Sequence, residues 1–179
     1  FGLETLDADV DPDGPWWEDL YDRALSVYPV DPEDRSPNPV ARRVTFLYGQ
    51  LWELDQLNDT THDALGELFG IASVEAFQHL GEMVRAGKIV DAEGRDVYLN
   101  ESEGLDLPLT LIHGAENACY LPESTEQTFR WLRDRNGGRQ YARHVIPQYG
   151  HIDCIFGKNA VEDVYPLIRR HLETYSAEF

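Results

Sequence analysis

Apolar residues recur in this chain with two different periods, and the change near Leu107 divides it in two. In the first part the spacing is helical. Val74, Phe77, Leu80 and Val84 fall three or four residues apart, with Ser73 placed to cap the start and Gly87 to stop the helix. A second helix is expected over residues 44–56. A shorter one starts at Pro15-Trp16-Trp17-Glu18-Asp19-Leu20-Tyr21, since Pro suits the first helical position. The small polar run from Leu57 through Asp63 marks a turn and a new helix start, and residues 88–96 read as an extended segment entering a turn.

From Pro108 onward strand and helix patterns alternate. Leu109-Thr110-Leu111-Ile112 is a short apolar run of the kind buried on both faces of a parallel sheet, and Gly114 ends it. Pro122 and a Ser124-x-x-Gln127 capping box open a helix that Asn136-Gly137-Gly138 closes. Arg143-His144-Val145-Ile146 forms a second strand. Val161, Val164, Tyr165, Ile168 and Leu172 line a final helix that Pro166 should kink or split. A right-handed crossover through the intervening helix makes the two strands parallel neighbours. The fold class read from this pattern is α/β, with peripheral and cap-like helical material over residues 1–107 and a sheet-forming core over 108–179. Two strands make a poor parallel sheet, so the central strands are missing from the pattern.

Charge narrows the partners. Fifteen Lys and Arg face 33 Asp and Glu, and a formal net charge of −18 repels nucleic-acid phosphates and anionic headgroups. A hydrophobic fraction of 42% argues for a packed chain. No apolar run reaches the roughly 20 residues that cross a bilayer, and Phe1-Gly2-Leu3-Glu4 lacks the basic start of a signal peptide. Without an initial Met the sequence reads as trimmed, and its cellular address is not legible. Cys119 and Cys154 have no metal-ligand spacing and are read as thiols, with a bridge between them as the alternative. Asp9-Val10-Asp11-Pro12-Asp13-Gly14 copies the first half of a calcium loop. Leu20 stands where the bidentate Glu belongs, so a solvated acidic turn is the competing reading.

Several strings carry a family likeness. Tyr48-Gly49-Gln50-Leu51-Trp52-Glu53, Asn58-Asp59-Thr60-Thr61-His62-Asp63, His113-Gly114-Ala115-Glu116-Asn117, Leu121-Pro122-Glu123-Ser124-Thr125 and His151-Ile152-Asp153-Cys154-Ile155-Phe156-Gly157 follow one another in order and spacing. In them the chain resembles the cap and C-terminal core of acid-lipase-like α/β-hydrolases. It resembles more closely the hydrolase module fused behind cholesterol-oxidase-like glucose-methanol-choline oxidoreductases of bacteria. The resemblance implies an upstream half that brings the nucleophile, an FAD-dependent domain further upstream, and an apolar ester or sterol as ligand. No FAD-binding sequence lies within these residues, and no serine here sits in a G-x-S-x-G elbow.

In such an enzyme a histidine takes the proton of the serine, and an acid orients and stabilises the imidazole. His151, on a Gly-preceded loop before the last helices, fits the base. The acid loop reads Gly114-Ala115-Glu116-Asn117, with Asn117 where the carboxylate is expected. Three readings stay open there: Glu116 as acid, Asn117 as neutral orienter, or no working acid. Asp153 is either a local carboxylate or a loop tether. His62 and His79, on cap-like segments, are candidate substrate contacts, with a structural role as the alternative. His113 reads as a core or hinge residue, and His144 and His171 join no constellation. Trp16, Trp17, Phe46, Tyr48, Trp52, Phe69 and Phe77 offer aromatic surface, of which two or three residues are expected to face a ligand. The enzyme reading is therefore the C-terminal part of a serine ester hydrolase. Its rival is a noncatalytic accessory domain that binds lipid or docks on an oxidoreductase.

Overall fold

Two short sheets organise the chain, one from each compositional part. The computed structural model describes residues 4–11, 13–31, 35–99, 105–138 and 140–176. Strand β1 (Thr5–Asp7) pairs antiparallel with β2 (Ile71–Ser73). Around them lie helices α1 (Trp16–Ser26), α2 (Pro39–Tyr48), α3 (Asp59–Asp63), α4 (Leu65–Leu68) and α5 (Val74–Ala86). In the second part β3 (Leu109–Gly114) leads through α6 (Pro122–Asn136) to β4 (Tyr141–Ile146), and three helices follow: α7 (Asp153–Phe156), α8 (Ala160–Asp163) and α9 (Tyr165–Tyr175).

The strands β3 and β4 are parallel and adjacent, in register from Leu109 opposite Tyr141 to Gly114 opposite Ile146. The fold is mixed α/β, and the strand-helix-strand order read from the sequence is present. The final helix is split as Pro166 requires: α8 ends at Asp163, and Pro166 occupies the first turn of α9, where its missing N–H has no partner to lose. Helix α5 starts and stops as its sequence dictates. Ser73 Oγ accepts the Ala76 N–H at 3.4 Å, and Gly87 takes a left-handed φ of 65°.

Two sequence expectations are corrected, and one pairing is new. The helix expected over residues 44–56 runs instead from Pro39 to Tyr48, because Asn38 caps it through the N–H groups of Val40 and Ala41, and Gly49, at φ 84°, terminates it. Only a single 3-10 turn, Leu54–Gln56, follows. Ser124 is inside α6, not at its cap: Leu121 holds the cap position, and Pro122 begins the helix. The pair β1 and β2 was not anticipated, since three-residue strands are too short to show a period.

The two parts are stitched together beneath the loop that follows β4. The N–H groups of His151 and Ile152 both donate to Leu51 O, at 2.8 and 2.9 Å, and Lys158 N donates to Gln56 O. Gln56 Nε2 reaches Gln148 O at 2.9 Å. One core of Ala8, Ala41, Val44, Leu51, Trp52, Leu57 and Leu65 has Cys119, Ile152 and Phe156 packed against it, and Ile146, Tyr149, Cys154, Ala160 and Val164 form another. The apolar residues Leu109 to Ile112 nevertheless stay half-buried, unlike a parallel strand covered on both faces and paired on both edges. Among the described residues no helix is long and apolar enough to cross a membrane.

Candidate functional site

The ends of β3 and β4 meet because two glycines let backbones touch. A Cβ on Gly114 would fall 2.0 Å from Gly150 O, and one on Gly150 would fall 3.0 Å from Trp52 Cα. Close approach, rather than a special φ, is thus what requires glycine at 150. The left-handed residue of this loop is Gln148, at φ 65°, a conformation that costs a non-glycine residue about 1–2 kcal/mol. Its carbonyl is held there by Gln56. The ladder itself continues past the strands, with Ala115 N donating to Ile146 O and Glu116 N to Tyr149 O.

This brings Asn117 and His151 together. The amide nitrogen Nδ2 of Asn117 lies 3.1 Å from His151 Nδ1, and Asn117 is almost wholly buried. Its orientation is set by hydrogen bonding. Asn117 Oδ1 accepts the backbone N–H of Cys119 at 3.0 Å and of Tyr120 at 2.9 Å, so the NH₂ end must face the imidazole. Turning the amide over would cost about 1 kcal/mol for each backbone bond lost, and would point an NH₂ at two N–H groups.

An amide nitrogen has no lone pair to offer, so His151 Nδ1 is the acceptor and the ring proton sits on Nε2. That is the opposite of the tautomer a hydrolase base needs, in which Nδ1–H donates to the acid and Nε2 is free to take a proton. Burial holds the imidazole below the ordinary histidine pKa. The neighbouring His113 lowers it further, and Asp153 opposes both. A neutral ring that presents Nε2–H is a hydrogen-bond donor.

Glu116 takes no part in this pair. It is exposed and lines a separate polar groove with Asp31, Gln50, Glu53, Asp55 and Lys158, and no hydrogen bond or ion pair joins it to His151. Asp153 is fully buried and acts on the backbone: Oδ2 accepts Gly150 N at 2.9 Å and Glu53 N at 3.0 Å, tethering the His151 loop to the segment after α2. Burial raises its carboxyl pKa, although those backbone donors pull the other way. Because the folded form binds its proton more tightly than the unfolded chain, the contribution of Asp153 to stability is complete below the ordinary value of 3.8 and is lost as pH climbs through the raised one. Asp153→Asn keeps an acceptor for the two N–H groups and removes the charge. Its urea midpoint relative to the parent protein should therefore rise between pH 4 and pH 7. A difference that stays flat over this range would contradict the buried-charge account.

A cleft of about 370 Å³ opens beside the pair, lined by His113, Asn117, Tyr120 and His151 with Ile112, Ile155, Val164 and Ile168 among its apolar walls. Tyr120 lies against the His151 ring at 5.1 Å between centroids. His113 is buried and gives its Nε2 hydrogen bond to Tyr120 O at 2.8 Å, which fixes the loop that carries Asn117. Cys154 also borders the cleft, but burial pushes its thiol up to about 11, so it stays protonated near neutral pH. Both cysteines are free.

The cap-like histidines lie elsewhere. His62 Nε2 pairs with Ser36 Oγ at 2.7 Å, and His79 Nε2 with Val90 O at 3.0 Å; neither borders the cleft. The seven aromatics considered as pocket lining are absent from it as well. Tyr48, Trp52, Phe69 and Phe77 pack on one another in the core, and Phe46 sits against Tyr21 and Tyr28. The aromatic that does face the cleft, Tyr120, had no signal in the sequence beyond its nearness to Asn117. In the acidic segment Asp11 Oδ1 accepts Asp13 N and Asp9 Oδ1 accepts Val10 N.

No family model, curated protein or solved structure matches the chain.

Proposed function

We propose that this chain is the C-terminal part of an α/β-hydrolase-type module whose histidine site binds an apolar ligand by its oxygen rather than hydrolysing an ester. The observation that carries the reading is the Asn117 amide. With its oxygen locked on Cys119 N and Tyr120 N, it gives His151 an N–H and leaves Nε2–H as the ring's donor, in a residue that borders the cleft. A carbonyl or hydroxyl oxygen in an otherwise apolar ligand, such as an acyl ester or a sterol, satisfies that donor, and the isoleucines and Val164 around it take the hydrocarbon part. The half-exposed apolar strand β3 supports the further proposal that strands of an upstream half complete the sheet. An FAD domain, on the resemblance, would lie further upstream, and no step here draws on it.

Ester hydrolysis is the second reading, favoured by one observation: His151 and its partner stand at the C-terminal ends of neighbouring parallel strands, the edge where catalytic groups of open α/β sheets gather. Titration with ethyl butyrate, followed by histidine nitrogen and proton NMR, separates the two. Binding predicts a saturable shift of the His151 Nε2–H signal with no butyrate released above the buffer rate, and loss of the effect in His151→Phe. Butyrate release by the protein joined to its upstream half, abolished in His151→Phe, would replace binding with hydrolysis. A His151 signal unmoved by both the ester and cyclodextrin-solubilised cholesterol would end the ligand reading.

A further inference from the structure

Asn117 holds more than the imidazole. Its Oδ1 takes two backbone N–H groups, Cys119 at 3.0 Å and Tyr120 at 2.9 Å, and so closes the turn that carries Tyr120 to the cleft. Tyr120 is tied at a second point, since its carbonyl accepts His113 Nε2–H at 2.8 Å. The amide can serve the turn with its oxygen only while His151 Nδ1 keeps a lone pair to meet the NH₂ end.

A proton on His151 removes that lone pair. Imidazolium carries N–H on both ring nitrogens, so Nδ1–H would face the Asn117 NH₂ across 3.1 Å, donor against donor. Asn117 is 4% exposed, which leaves its amide little solvent to bond instead. The conflict ends when the amide turns over and offers Oδ1 to the ring. Cys119 N and Tyr120 N then lose their shared acceptor.

We propose that protonation of His151 releases the turn from Asn117 to Tyr120 and loosens the Tyr120 wall of the cleft, which makes the site a proton-operated latch, closed at neutral pH and open in mild acid. The latch rests on the donor role of Asn117 proposed above and requires no ligand. Its open form binds the proton more tightly because Oδ1 then accepts Nδ1–H, and the form with the higher proton affinity gains population as pH falls.

The surroundings of the ring set where this happens. From β3, His113 opposes a charge on His151, and from α7 Asp153 favours one. Tyr120, against the ring, and Cys154, which shares the cleft, both keep their protons near neutral pH, because burial raises each. The segment after α2 contributes Leu51, whose O accepts the His151 N–H, and Glu53, whose backbone N–H holds Asp153. Val164 and Ile168 border the cleft with apolar groups. Burial is the largest of these influences and keeps the ring below the ordinary 6.5, so the closed latch gives way on the acid side of neutrality.

The test is amide hydrogen exchange of the ligand-free chain by NMR from pH 4.5 to pH 7.5, expressed as protection factors so that the intrinsic pH dependence of exchange is divided out. The His151 ring nitrogens are followed in the same samples. Protection of Cys119 N–H and Tyr120 N–H is expected to fall by about tenfold or more as His151 takes up its proton, the effect of losing the acceptor of two hydrogen bonds. Ala115 N–H and Glu116 N–H, bonded to Ile146 O and Tyr149 O, should keep theirs. In His151→Phe the two turn amides should stay protected across the range. In Asn117→Asp they should also stay protected while His151 is charged, since a carboxylate accepts from the ring and the turn together. Unchanged protection of Cys119 and Tyr120 while His151 titrates would overturn the latch, as would an equal loss at Ala115 or the same loss in His151→Phe. A His151 Nδ1 already protonated at pH 7.5 would overturn both the latch and the donor role of Asn117 beneath it.

Discussion

Asn117→Asp should reverse the hydrogen bond to His151 and raise the imidazole pKa, because a close carboxylate favours the charged ring. The reversal follows from geometry. One carboxylate oxygen of the variant can still accept Cys119 N and Tyr120 N, and the other then replaces Nδ2 opposite His151 Nδ1, where only an N–H is now acceptable. The ring proton moves to Nδ1 and Nε2 acquires a free lone pair, the arrangement of a general base.

The pH dependence of stability should change sign with it. In the parent protein the folded pKa of His151 is depressed below the ordinary 6.5, so its contribution is present above that value and is lost as pH falls through the folded pKa. In the variant the folded pKa is raised, and the contribution is present below 6.5 and lost as pH rises through it. Urea midpoints measured from pH 5 to pH 8 should therefore diverge in opposite directions. Parallel curves would mean that Asn117 does not control the ring.

Arg43→Ala carries the second large effect, a loss of about 3–5 kcal/mol, as expected when one partner of a buried ion pair is removed and the others remain. Arg43 is 4% exposed. It donates to Glu18 at 3.1 Å and Asp22 at 3.0 Å, both on α1, and to the backbone carbonyl of Asp9, so one guanidinium ties the β1 end, α1 and α2 together. The variant strands two partly buried carboxylates and removes the stem that packs near Tyr21. Against a typical total of about 5–15 kcal/mol, such a loss approaches unfolding. Denaturant melts of Arg43→Ala and of Arg130→Ala, whose partner Glu126 is exposed on the same helix, give the comparison. The second should cost less than about 1 kcal/mol, the range for surface pairs.

What could be read from the sequence depended on how far each signal extends. Helix α5 and strand β3 were legible because several apolar positions agree on one period, and Gly87 and Gly114 punctuate them. Helix α2 was misplaced because its boundaries rest on two local devices, the Asn38 cap and the positive φ of Gly49, which outweigh the apolar spacing that continues to Gln56. The meeting of Asn117 with His151 was foreseeable from two loops leaving the same edge of adjacent parallel strands. Its polarity was not. An amide serves equally as donor or acceptor, and only the two backbone N–H groups of the following turn decide which end faces the ring. Glu116, one residue away, is carried to another groove by the same turn. Arg43 gave no sequence signal, since it and its partners come from segments that no period links.

Everything proposed for the cleft depends on His151 being a neutral donor through Nε2. Nitrogen-15 NMR of histidine-labelled protein at pH 7.5, with His151 assigned by comparison with His151→Gln, tests it most directly. His151 Nδ1 should resonate as an unprotonated ring nitrogen and Nε2 as a protonated one, unchanged in Glu116→Gln and exchanged in Asn117→Asp. A protonated Nδ1 beside an unprotonated Nε2 in the parent protein would contradict it and return His151 to the role of a base.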